Sequence, residues 1–107
     1  MNRYDPKVAL DVFGMEKTVD QCIEECAELI HALMKFKRDR LGSKESLEEE
    51  LADVAISTEQ VAFLVDQSEI DRWRKLKEDR GVKRRLAFEK DHESYKAEVL
   101  KADMGKL

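Results

Sequence analysis

Residues 18–66 restrict this chain more than any other stretch, because they hold two long runs of helical period opened by the same signature. Thr18-Val-Asp-Gln21 and Ser46-Leu-Glu-Glu49 each place a hydroxyl three residues before Gln or Glu. This is the capping-box spacing, in which two side chains satisfy each other's orphan backbone N–H groups. The first box predicts a helix to about Arg40, ended by Gly42, and the second a helix to about Asp66. At about 100° per residue, Ile23, Cys26, Ala27, Leu29, Ile30, Leu33, Met34 and Phe36 share one broad arc. Gln21, Glu24, Glu25, Glu28, His31 and Lys35 occupy the opposite arc. The next helix is apolar on nearly every side. Leu47, Leu51, Val54, Ala55, Val61, Ala62 and Val65 form one face, and Ala52, Ile56 and Phe63 another. Such a helix belongs in the middle of a bundle. Glu50 and Asp53 lie at the edge of its apolar face, in a row continued by Ser57 and Leu64.

The flanks extend the helical reading. Asp5-Pro6 reads as the cap and first residue of a short helix to Phe13, stopped by Gly14. Ser68 caps a helix to about Arg80. Gly81 breaks or bends it before a polar last helix, about Lys83 to Lys101, and the chain frays from Asp103. Ala, Glu, Lys, Leu and Arg supply 54 of 107 residues, while one Pro and four Gly leave little for the turns of a β-sandwich. The expectation is one all-α domain, residues 1–107, built as a bundle of four to five helices. Its motif core is 18–66 and its basic helical segment 68–102. So short a chain has a modest core, which makes assembly into a dimer or tetramer useful. No apolar run reaches the roughly 20 residues of a membrane span, and no signal-peptide run opens the chain, so a cytoplasmic location is expected. Cys22 and Cys26, one helical turn apart, read as reduced core thiols.

Charge is abundant and unevenly spread. Charged residues make up 41% of the chain, against roughly 25% in ordinary domains. Residues 1–68 hold 8 basic and 15 acidic groups, net −7, and residues 69–107 hold 12 and 9, net +3. Within the acidic part, Glu24-Glu25-Cys-Ala-Glu28 reads EExxE and Glu50-Leu-Ala-Asp53 reads ExxD. These offsets put each set of carboxylates on one helical stripe. If the two helices pack antiparallel, the sets converge. Converging like charges are costly unless a cation joins them. A hard divalent cation that takes oxygen ligands, Mg²⁺ above all, suits such a set.

With Gln21-x-x-Glu-Glu-x-x-Glu-Leu-Ile and Glu49-Glu-Leu-Ala-Asp-Val in place, residues 21–60 resemble the MazG-like proteins of the all-α NTP pyrophosphohydrolase superfamily. These carry EExxE, a variable loop and then ExxD. Here 21 residues, Leu29 to Glu49, separate the two motifs. The basic segment after Ser68, with Trp73-x-x-x-Lys77-x-x-Arg80, resembles the family more loosely. The resemblance implies that Glu24, Glu25, Glu28, Glu50 and Asp53 bind Mg²⁺, with Mn²⁺ a substitute, and that Glu25, Glu28, Glu50 and Asp53 carry the catalysis. It implies a cytoplasmic hydrolase of nucleotide metabolism, house-cleaning included. That enzyme cleaves a nucleoside triphosphate, (d)NTP, between its α and β phosphates to (d)NMP and pyrophosphate. It also implies a homodimer or homotetramer with sites near subunit interfaces. Metal-activated water fits the residues present. No Ser, Cys or His arrangement suggests a covalent route, and no GxxxxGK[ST] loop occurs.

Other residues carry weaker signals. Gln21 is a candidate substrate contact. Lys77, Arg80 and Arg84 share a stripe that suits phosphate, and Lys35 offers the same chemistry, though each also fits a solvated basic face. Trp73 suits base stacking or a plain interface. His31 lies on the acidic stripe. Leu86, Phe88, His92, Tyr95 and Val99 partly fit a docking stripe. Two other readings compete with the hydrolase. One is a non-enzymatic helical adaptor. The other is a di-iron bundle using Glu28/His31 and Glu89/His92, both ExxH. Nucleic-acid binding is not expected, since the net charge is −4 and Glu78 and Asp79 interrupt the basic run.

Overall fold

The computed structural model describes residues 2–92 together with Leu100 and Lys101. The described residues form α1 (Pro6–Phe13), α2 (Met15–Arg38), α3 (Lys44–Val61), a 3₁₀ turn (Ala62–Leu64) and α4 (Gln67–Asp91), with no strand among them. The all-α expectation holds. The chain divides into two compact units, Met1–Gln67 and Ser68–Leu107.

In the first unit the caps explain the boundaries. Asp5 accepts from the backbone N–H of Lys7 at 2.9 Å and of Val8 at 3.3 Å, with Pro6 at the first helical position. Such a cap contributes about 1 kcal/mol. Gly14 then ends α1 and opens α2 without a connecting loop, at φ 87° and ψ 161°. That region is open essentially to glycine alone. The helix therefore starts at Met15, and the capping box expected at Thr18 does not form. Thr18 is already inside the helix, its N–H bonded to the Gly14 carbonyl at 3.1 Å.

The turn between α2 and α3 is built on Asp39. Its carboxylate accepts from Gly42 N–H at 3.0 Å, and its carbonyl accepts from the Ser43 hydroxyl. A Cβ on residue 42 would meet the Asp39 carboxylate, which would have to swing away from the Gly42 N–H it now accepts from. Gly42 thus sits inside the turn, and α2 ends earlier, at Arg38. Ser43 O accepts from Leu47 N–H at 3.1 Å, which opens α3 at Lys44 and not at the Ser46 box. The third helix also stops short of Asp66, at Val61, and continues as the 3₁₀ turn.

The helices α2 and α3 form an antiparallel hairpin, on which α1 packs. Thr18 and Gln21 share a cleft with Ser57 and Gln60, while Glu25 meets Asp53 and Glu50. The inward face of α2 is not the apolar arc. Thr18 and Ala32 are buried, at 3% and 4% exposure, and Glu25 and Leu29 are half-buried beside them. These positions lie on or next to the acidic stripe. Ile23 and Ile30 of the apolar arc are 62% and 61% exposed, and Leu33 and Met34 are exposed with them. Most of the arc is thus left outside this unit's core, although Cys26, Leu29 and Phe36 are half-buried. Helix α3 is central in its unit, as expected, but incompletely covered. Ser57 is buried, Leu47, Glu50, Val54 and Val61 are half-buried, and Leu51 and Ile56 remain exposed. Leu10 and Ala32 are the buried apolar side chains among the described residues.

In the second unit, α4 runs through Gly81 unbroken, so of the two outcomes expected there the break is excluded, and residues 83–91 belong to α4 rather than to a separate helix. Ion pairs along the helix support it: Arg72–Glu69 at 2.9 Å, and Arg74–Glu78 and Arg85–Glu89 at 3.7 Å. The expected docking stripe extends outside the described residues at Tyr95 and Val99. Its described part shows Phe88 and His92 stacked ring on ring, centroids 4.3 Å apart. No helix among the described residues is long and apolar enough to cross a membrane.

Candidate metal centre

The hairpin register brings the two acidic motifs together. Oxygens of Glu25 from α2 and of Glu50 and Asp53 from α3 lie within 4.8 Å of one another. The ExxD offset places Glu50 and Asp53 one turn apart on α3, and the antiparallel crossing lays Glu25 opposite both. Gln21, one turn before Glu25, donates from Nε2 to Glu25 Oε1 at 2.7 Å and fixes that carboxylate's orientation.

Glu50 shows what the arrangement costs. It is half-buried, and its Oε2 is shielded from solvent without a hydrogen-bond partner. Desolvation, followed by the charges of Asp53, Glu28, Glu25 and Glu49, pushes its carboxyl above the ordinary value. An acceptor shielded from water without a donor is destabilising in proteins generally. Here it faces neighbouring carboxylates rather than a donor. This is the environment a hard cation relieves, because each oxygen then gains a ligand bond and the repulsion is neutralised. The residues present therefore fit a divalent, oxygen-seeking metal ion.

The remaining candidates separate by place. Glu28 stands on the same stripe, near enough for its charge to raise Glu50, but outside the converging trio. Glu24 is exposed and also outside the trio. Lys35 and His31 are exposed further along α2. Trp73, Lys77 and Arg80 are exposed on α4, in the second unit, with the Arg72 guanidinium 4.6 Å over the Trp73 ring. Among the described residues, the metal-capable group contains no histidine.

A cleft of about 390 Å³ adjoins the trio and includes Glu25 and Asp53 in its wall. Thr18, Gln21, Ser57 and Gln60 line it with neutral polar groups, Phe13 and Ile56 with apolar surface. Of these only Gln21 was legible as a site residue. Thr18 read as a helix cap, Ser57 only as continuing the row of Glu50 and Asp53, and nothing in the sequence distinguished Gln60 from other polar positions.

Residues 13–78 match the MazG nucleotide pyrophosphohydrolase domain, a span that includes both acidic motifs, the converging trio and the start of α4. No curated protein and no solved structure matches the chain. The matched span covers more than half of the sequence, and the chain belongs to the MazG nucleotide pyrophosphohydrolase domain family.

Proposed function

We propose that the protein is a Mg²⁺-dependent pyrophosphohydrolase that converts a (d)NTP to (d)NMP and pyrophosphate. The observation that carries this reading is the Glu25–Glu50–Asp53 convergence, with Glu50 Oε2 buried and unpartnered, in a chain of this family. Glu25, Glu50 and Asp53 supply oxygen ligands, and Gln21 holds Glu25 in place. A bound Mg²⁺ neutralises phosphate oxygens and makes a water acidic enough to attack phosphorus. We assign Glu28, on the same stripe, as the carboxylate that accepts the water's proton. The water oxygen bonds to the α-phosphorus, and the bond from that phosphorus to the α–β bridging oxygen breaks. Glu24 is held as a further ligand. Lys35, Lys77 and Arg80 are kept as phosphate contacts and Trp73 as a base contact, on their chemistry and the resemblance. Mn²⁺ is expected to substitute, and the two units to work as one domain.

The exposed arc of α2 supports a homo-oligomer. A groove lined by Val19, Cys22, Ile23, Cys26, Ile30 and Val61 opens on this arc, and its wall is almost wholly apolar. Contiguous exposed apolar surface of this kind marks association sites. We read it as the face that a second copy covers. Light scattering is expected to give a dimer or tetramer.

The reaction is tested with a panel of NTPs and dNTPs in Mg²⁺, with products separated by ion exchange. Monophosphate and pyrophosphate in equal amounts, abolished by EDTA and restored by Mg²⁺ or Mn²⁺, is the expected result. Orthophosphate with a diphosphate would exclude this chemistry.

A further inference from the structure

The cleft beside the carboxylate trio has one polar group whose chemistry is unused. Thr18 is 3% exposed, it lines the cleft, and its Oγ1 has no hydrogen-bond partner. A threonine within a helix ordinarily relieves such a hydroxyl by bonding back to a carbonyl one turn earlier. Thr58 does this, donating to Val54 O at 2.7 Å. Thr18 does not, although Gly14 O lies one turn back and already accepts its backbone N–H. An orphaned buried hydroxyl destabilises the free protein, and the cleft is the place where a ligand would relieve it.

The rest of the wall defines the ligand. The amides of Gln21 and Gln60 are tethered, Gln21 to Glu25 and Gln60 to the Tyr4 hydroxyl at 3.3 Å, which holds both in place. Ser57 is 5% exposed next to them. Phe13 and Ile56 add apolar surface, and the Lys17 ammonium sits 5.1 Å from the Phe13 ring centroid. Neutral donors and acceptors around an apolar floor suit a planar, uncharged heterocycle with amide-like edges. A phosphate calls for cations or a metal, which this cleft offers only at Lys17 and at its Glu25 and Asp53 edge. The volume lies within the range of small-molecule sites.

We propose that this cleft receives the nucleoside end of the substrate and that Thr18 Oγ1 is a specificity-determining contact to it. The inference rests on the nucleotide reading of the metal centre. It places the triphosphate at Glu25, Glu50 and Asp53 and the base toward Thr18, Ser57 and Gln60, all within the first unit.

The test compares wild type with Thr18→Val, which removes the hydroxyl at nearly constant volume, and Thr18→Ser, which keeps it. Two inhibitors separate the ends of the site: the nucleoside monophosphate product and inorganic pyrophosphate. Thr18→Val is expected to raise KM and the inhibition constant of the monophosphate about tenfold, as the loss of one hydrogen bond would. Inhibition by pyrophosphate and kcat should stay within about twofold, a spread below the worth of one hydrogen bond. Thr18→Ser should recover most of the loss. In EDTA the valine variant should melt no lower than wild type, since the orphaned hydroxyl is gone. An unchanged KM, or an equal weakening of monophosphate and pyrophosphate, would overturn the inference while nucleotide hydrolysis by wild type stood. So would base discrimination lost in Trp73→Ala and kept in Thr18→Val. A wild type that hydrolyses no nucleotide would overturn both readings together.

Discussion

The two faces of α2 are built on opposite terms. The stripe carrying Gln21, Glu25 and Glu28 turns toward α3, where Thr18 and Ala32 beside it are buried. The arc carrying Ile23, Ile30 and Met34 is left open. In an isolated helical hairpin, burial of apolar area would favour the reverse, at about 1.5–3 kcal/mol for each fully buried large side chain. The arrangement makes sense if each face awaits something. The acidic face awaits a cation, and the apolar face awaits another protein surface. Among the described residues two apolar side chains are buried, little to set against an ordering entropy of about 1–2 kcal/mol per residue. On the reading proposed above, the acidic face is turned toward α3 at the cost of a core that the described residues leave incomplete.

The largest effect should come from the acidic face. Glu50→Gln keeps the shape and removes one ligand charge, and activity should fall by orders of magnitude. Stability should move the other way. In EDTA the variant should melt at or above wild type, because it relieves the repulsion around Glu50. In Mg²⁺ at a hundredfold excess over Kd, wild type should gain about 2.7 kcal/mol and Glu50→Gln much less. Equal Mg²⁺-induced shifts would mean Glu50 is no ligand. The same result for Asp53→Asn would remove the trio itself.

The apolar face gives the next largest effect. Ile30→Glu, at a position 61% exposed within one chain, should cost at most about 0.5 kcal/mol if that surface truly faces water. If a second copy covers it, light scattering should show the assembly collapsing to a monomer, with the melting temperature falling alongside. An unchanged mass and melting temperature would break the comparison on that side.

These two faces also mark where sequence reasoning succeeds and where it stops. The helical period, the Asp5-Pro6 start and the EExxE and ExxD stripes are local properties, set by side-chain offsets along one helix, and they were readable. That the two acidic stripes could meet was readable on the condition that the helices pack antiparallel, but not that Glu25, Glu50 and Asp53 would be the three to converge. Which side of α2 faces α3 was not readable. Amphipathic logic assigns the apolar arc to the chain's own interior, and here most of that arc stays exposed. The Thr18 box failed for a related reason. A capping box is a statement about one helix start, and Gly14, by turning directly from α1 into α2, places that start one turn earlier. At Gly81 the sequence left a break and a bend both open, and the helix runs through without a break.

The two glycines make a smaller, paired test. Gly14→Ala forces a side chain into φ 87°, ψ 161° and should cost about 1–3 kcal/mol. At about 4–8 °C per kcal/mol for a domain of this size, that is readily measured. Gly81→Ala meets nothing within 4 Å of the new Cβ and should stabilise α4 by up to about 1 kcal/mol. Because Gly14 sets where Thr18 and Gln21 stand on α2, its variant should also weaken substrate binding, while the Gly81 variant should not. A Gly14→Ala protein as stable as wild type would show that α2 starts elsewhere.

The smallest effect is a pH dependence, and its sign follows from the position of Glu50. Its folded-state carboxyl titrates above the ordinary carboxylate value of 4.5, first through desolvation and then through Asp53 and Glu28. Between the ordinary and the raised value the folded protein holds more protons than the unfolded chain, so stability falls as pH rises through that window. Without metal, wild type should therefore lose ground to Glu50→Gln as the pH is raised above 4.5. The two should converge again on acidification, once Glu50 is protonated in both states. Saturating Mg²⁺ should erase the dependence near neutrality, because a metal-bound carboxylate no longer benefits from a proton. Melting curves of both proteins at several pH values, in EDTA and in Mg²⁺, measure the difference directly, and using the difference cancels the titrating groups that do not interact with Glu50. A gap between the two proteins that widened on acidification would mean that Glu50 is stabilised as an anion in the metal-free fold. The acidic face would then be paired internally, and the contrast between the two faces of α2 would lose its first half.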